Sequence, residues 1–136
     1  MRHSNGRCAQ RGVTLLELMT VMVIVAVLAA IAIPTYRQQV IRGNRSNAKT
    51  MLTQTAQVLE RCFTRTSTYV GCAAFPVTAP EGLYVVTGAV NPTTYVLTAT
   101  PQDGQTNDTV CGNFTLDEAN ARGASGSGTD NECWSR

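Results

Sequence analysis

The chain has 136 residues, room for one domain and an anchor but not for two full domains. Its formal net charge of +2 comes from 11 basic and 9 acidic residues, and Arg2, Arg7 and Arg11 all precede residue 13. The rest of the chain holds a slight excess of acids, so overall charge names no nucleic-acid partner. His3 is the only histidine, which leaves the chain after residue 12 without a Ser/His/Asp set; no enzyme, metal or cofactor is expected.

Residues 1–12 are polar and basic, with no fold of their own expected. Residues 13–34 then read VTLLELMTVMVIVAVLAAIAIP. The twenty-one residues from Val13 to Ile33 make a helix of about 31 Å, the thickness of a bilayer's hydrocarbon core. The run is apolar on every face, which fits lipid or a bundle of like helices. Two residues interrupt it. Glu17 places a carboxylate one turn inside, and Pro34 cannot donate to the carbonyl of Ala30, which predicts a kink. A secretory signal peptide is the competing reading of residues 1–33; its small-residue cleavage site would follow the apolar core, where Ala29–Ala32 imitates one.

A basic leader, Gly12, an apolar residue, Thr-Leu-x-Glu and a membrane helix together closely resemble the processing site of type IV pilins and pseudopilins. The resemblance implies cleavage between Gly12 and Val13 by a prepilin peptidase, which then N-methylates Val13. Val13 stands where the family usually has Phe. Glu17 takes the place of the family's acidic residue and Pro34 that of its helix-kinking proline. Cleavage frees the α-amine of Val13, and a carboxylate in an apolar bundle demands a cation. Glu17 is therefore expected to pair with this amine, from its own chain or a neighbour's, and to set the register of filament assembly, while apolar packing supplies the bulk of the association.

The helical pattern continues through residues 35–65. Val40, Asn44, Ala48, Leu52, Thr55, Leu59 and Cys62 recur at three- and four-residue steps, a stripe expected to pack on a sheet. Arg37, Arg42, Arg45, Lys49 and Arg61 fall mostly off it, as on a solvated face; contacts with acidic groups of neighbouring subunits or with phosphates are the sharper alternatives. The helix is expected to end near Phe63–Ser67. Residues 66–82 read as a loop. Three strands follow at 83–87, ended by Gly88, at 94–100 and at 112–117, with connections short enough for an antiparallel meander. The acids of residues 103–132 lie in polar turns without the alternating ligand density of a calcium loop. From Glu118 the chain is rich in Gly, Ser, Asn and Asp, and only Cys133-Trp134 argues that this tail is ordered.

Cys8 lies in the leader, so four cysteines remain and allow three connectivities. A Cys62–Cys72 bridge would pin the loop to the helix, and a Cys111–Cys133 bridge would staple the tail to the third strand. Tyr95 to Pro101, Gln105 to Leu116, Arg122-Gly123 and Cys133-Trp134 are similar to minor pilins of the PilE type, in which the closed C-terminal segment is the exposed D-region; this chain has Asn120 where many relatives carry Gly.

The fold expected is thus α+β, the type IV pilin fold: a long N-terminal helix, membrane-spanning in its first half, packed on a small antiparallel sheet spanning residues 66–136. The function expected is that of a minor pilin contributing to pilus assembly, and so to adhesion and twitching motility. It would assemble with major and minor pilin subunits, anchored in the inner membrane beforehand and carried in the extracellular pilus afterwards. A type II secretion pseudopilin is one alternative. A DNA-receptor pilin for natural transformation is another, weakly supported by sequence: basic residues sit mainly on the helix, and residues 66–136 hold only Arg122 and Arg136.

Overall fold

The computed structural model describes residues 12–135; the expectation of a basic leader falls almost wholly on residues 1–11, outside the described residues. Helix α1 runs Leu15–Thr66, followed by β1 (Val77–Thr78), β2 (Tyr84–Val90), β3 (Tyr95–Pro101), a 3-10 turn (Asp103–Asn107), β4 (Phe114–Asp117), β5 (Arg122–Ala124) and the short α2 (Asp130–Trp134). The five strands form one antiparallel meander in chain order. The chain divides into two compact units at Arg37–Gln38.

The first unit holds the apolar start of α1. Thr14 caps the helix, its hydroxyl accepting the Glu17 N–H at 3.2 Å. From Val13 to Ile33 the side chains are exposed or nearly so, and this stretch is apolar and long enough to cross a membrane. Pro34 sits inside α1 rather than ending it. The Thr35 hydroxyl donates to the Ile31 carbonyl at 3.1 Å, a local side-chain bond on the turn that proline weakens.

The second unit owes its core to the stripe on the rest of α1. Ala48, Leu52, Thr55 and Leu59 are buried against the inward residues of the sheet. Strand alternation supplies the other side: Tyr84 and Val86 from β2, Tyr95, Leu97 and Ala99 from β3, Phe114 and Leu116 from β4. Val40, at one end of the stripe, is 41% exposed. The bridging contacts to the 3-10 turn begin at Ile41 and Asn44.

Two expectations need correction. Gly88 does not end β2; it pairs with Leu97 in mid-strand. A Cβ there would come within 2.6 Å of the Phe75 ring, so the glycine makes room for that side chain to cover the strand. Within the loop of residues 66–82, Val77 and Thr78 form an edge strand on Val86 and Val85. The polar tail is ordered, as Cys133-Trp134 argued. β5 pairs with β4, and α2 is capped by the Thr129 hydroxyl, which accepts from the Glu132 N–H. Composition hid this, because the tail is held by backbone contacts: Gly126 and Gly128 donate their N–H groups to the carbonyls of Cys111 and Val110. At Gly126 a Cβ would collide with the Val110 carbonyl. The two disulfides are Cys62–Cys72, at the end of α1, and Cys111–Cys133, with Cα separations of 5.7 and 5.6 Å.

Candidate functional site

Gly12 and Val13 lie in an exposed stretch before α1, and nothing crowds the space a side chain at Gly12 would take. A processing enzyme therefore has open access to that peptide bond. Glu17 is the third residue of the helix after its Thr14 cap. Thr14-Leu15-Leu16-Glu17 is a capping-box sequence, and the Glu17 N–H makes one of that box's two bonds. The sequence reading treated Glu17 only as a charge for assembly and missed this local role, which the Thr-x-x-Glu spacing carries openly. Its position in the first turn also suits the positive end of the helix dipole. Pro34 lies 17 residues beyond Glu17 in the same helix.

A second group of side chains sits on the folded unit. Arg42, Arg45 and Lys49 follow at helical steps of three and four. They line, with Glu132, Cys133 and Ser135, a cavity of about 260 Å³ between α1 and α2. Arg45 is not on a solvated face as the sequence suggested. Its guanidinium forks onto Asp108 with bonds of 2.7 and 2.8 Å, and the two side chains are 12% and 1% exposed. Asp108 also accepts the Cys111 N–H at 3.2 Å. Lys49 donates to the carbonyls of Trp134 and Ser135 at 3.3 and 3.2 Å. Burial, then the charges of Arg45 and Arg122, push its ammonium pKa below the usual lysine value. Arg122 lies over the Trp134 ring, 5.2 Å from its centroid. Arg42 and Arg122 are exposed cations on this flank, with an indole between Arg122 and the core. Trp134 itself meets Phe114 edge-on at 5.8 Å and donates its indole N–H to the Gly123 carbonyl. Sequence reading separated these groups because α2 and β5 were not visible in it.

The family model described as type IV minor pilin ComP, DNA uptake sequence receptor, matches residues 34–115. The chain belongs to the type IV minor pilins. A model of the prokaryotic N-terminal methylation motif matches residues 7–33 of this pilin. A fimbrial protein of Moraxella nonliquefaciens is 36% identical over 86 residues, 59% of the pilin and 50% of the relative; the pilin thus spans about half that relative's length. Among solved structures, a type IV pilin from Shewanella oneidensis superposes with a TM-score of 0.56 at 26% identity, covering 71% of this chain and 99% of the other. The non-core minor pilin PilV of Neisseria meningitidis shares the fold, with a TM-score of 0.53 at 24% identity, covering 65% and 89%. The long helix on a five-stranded antiparallel sheet is the pilin fold, and the family is structural rather than enzymatic.

Proposed function

We propose that this pilin is cut between Gly12 and Val13, methylated on Val13, held in the inner membrane by residues 13–34 and then built into a type IV pilus as a minor subunit. The spacing of Gly12, ahead of an exposed apolar helix, from Glu17 and Pro34 within it carries this reading. In an apolar bundle the carboxylate of Glu17 is costly unless neutralised, and the amine released at Val13 is the cation supplied with every subunit. The pairing gives assembly its register.

Capping and pairing are separable by substitution. Gln at position 17 preserves a capping box but removes the charge. In sheared-fibre immunoblots, Glu17→Gln and Glu17→Ala are both expected to leave the subunit in the membrane fraction. Normal incorporation of Glu17→Gln would reduce Glu17 to a helix cap. Mass spectrometry of the fibre subunit is expected to show a methylated Val13 terminus.

DNA uptake is a second reading, favoured by the wording of the matched family and by the exposed Arg42 and Arg122 beside Lys49 and Trp134. Two phosphate contacts, from Arg42 and Arg122, predict a slope of log affinity against log salt of about −1.4 to −1.8. Gel shifts with the full chain in detergent are expected to give that slope. Arg42→Ala and Arg122→Ala are each expected to flatten it by about 1. Binding insensitive to salt and to both substitutions would remove this reading.

A further inference from the structure

The short helix α2 carries an acid that its own capping leaves unspent. Thr129-Asp130-Asn131-Glu132 has the spacing of a capping box, and the Thr129 hydroxyl accepts the Glu132 N–H at 3.2 Å. The other half of the box, a bond to the Glu132 side chain, is not made. Among the described residues that carboxylate accepts no hydrogen bond and has no cation within ion-pair distance. Its Oε2 lies beside Gly128, where a Cβ would come within 3.3 Å of it.

Glu132 borders the cationic flank twice. It lines the cavity of about 260 Å³ between α1 and α2. It also lines a second cavity of about 140 Å³, which shares Arg42, Arg45 and Glu132 with the first and adds Asp108. Three cations, Arg42, Arg45 and Lys49, and two carboxylates, Asp108 and Glu132, thus line these spaces. They are not equally free. Arg45 is forked onto Asp108, and Lys49 donates to the carbonyls of Trp134 and Ser135. Arg42 is exposed and makes no hydrogen bond or ion pair among the described residues. The walls common to both cavities therefore hold one open cation and one open acid.

We propose that Glu132 is an electrostatic brake on anion binding at this flank. A phosphate drawn to Arg42 is held beside a carboxylate of its own sign, so part of the attraction is cancelled. The inference rests on the DNA reading and names the residue that limits it. Affinity at the flank is then set by an acid of α2 as much as by the arginines, and repulsion of this kind is a means of discriminating between ligands.

The test is a gel shift of the full chain in detergent with a mixed-sequence DNA duplex, run at several salt concentrations. Glu132→Gln is expected to tighten binding about three- to tenfold at low salt, with the gain shrinking as salt rises. Glutamine keeps the capping-box pattern, and an unchanged thermal melt checks that α2 is intact. Glu132→Asp, which keeps the charge, is expected to bind as the parent does. Glu81→Gln removes an acid that lines a separate cavity with Met51 and Pro80, and is expected to change affinity far less. In an Arg42→Ala background the gain from Glu132→Gln is expected to disappear, because the two act on the same phosphate. An affinity unmoved by Glu132→Gln, a matching gain from Glu132→Asp or Glu81→Gln, or a gain that survives Arg42→Ala would each overturn the proposal and leave the DNA reading standing. A duplex shifted by neither the parent nor Glu132→Gln at any salt concentration would overturn the DNA reading and the brake with it.

Discussion

Arg45 and Asp108 lie 63 residues apart in sequence and meet as a forked ion pair almost closed to solvent. Removing one partner strands the other charge, which costs about 3–5 kcal/mol, far more than an exposed pair is worth. Arg45→Ala is expected to lower unfolding free energy by about that amount in urea titrations. The double substitution Arg45→Met with Asp108→Leu is expected to cost clearly less than the two singles added, because it leaves no orphaned charge. Additive losses would show that the pair is not coupled. Beside it, Gln105 is 1% exposed and donates to both the Ile41 carbonyl and the Tyr84 hydroxyl, at 3.1 and 3.0 Å, while accepting from Asn44 at 3.1 Å. The 3-10 turn is thus bolted to α1 and β2 through one amide, and Gln105→Leu, which matches its bulk without its bonds, is expected to destabilise the fold by about 1–3 kcal/mol.

At the scale of elements, the end of α1 is tied to the sheet by tyrosines. Phe63 stacks on Tyr69 at 4.4 Å, Tyr69 meets Tyr95 edge-on at 4.9 Å, and both hydroxyls converge on Glu60. Burial first, and then the hydrogen bond to Glu60, raise the phenol pKa of both. Burial likewise pushes that of Tyr84 up to about 12. A phenol whose proton is held more tightly in the folded chain contributes stability that is whole below pH 10 and disappears as pH climbs through the raised values. The lowered pKa of Lys49 acts oppositely just below its unperturbed 10.5, but three phenols outweigh it. Thermal melts followed by circular dichroism are expected to hold between pH 8 and 9.5 and to fall steeply between about pH 10 and 12; a flat profile to pH 12 would contradict the tyrosine assignment. These elements were unequally visible in the sequence. The helix, its buried stripe and strands β2 to β4 could be read because periodicity of 3.6 or 2 shows directly in the order of apolar residues. β5 and α2 could not, because they are short and polar, and what orders them is the pairing of Gly123 with β4 and the bonds of Gly126 and Gly128 to the turn that precedes it. The ion pair was hidden for a related reason: Arg45 belongs to the solvent side of the helical pattern until the 3-10 turn folds over it.

For the whole molecule, the amino-terminal motif supplied the family because spacing alone encodes it, whereas the cationic flank required the tertiary structure to bring Arg42, Lys49, Arg122 and Trp134 together. Replacing Cys111 and Cys133 with Ser is expected to free the tail, disperse that flank and make residues 118–135 sensitive to protease while α1 and β2–β3 stay protected; limited proteolysis with mass mapping checks this. The same long-range wiring has a consequence for biogenesis. Arg45 waits for Asp108, and Lys49 waits for carbonyls 85 and 86 residues downstream. On the proposed topology, with residues 13–34 held in the membrane, residues 35–66 would emerge first and with the flank of their helix bare. It gains its finished surface only when those late residues arrive, so a subunit halted in mid-passage offers its neighbours an unfinished face.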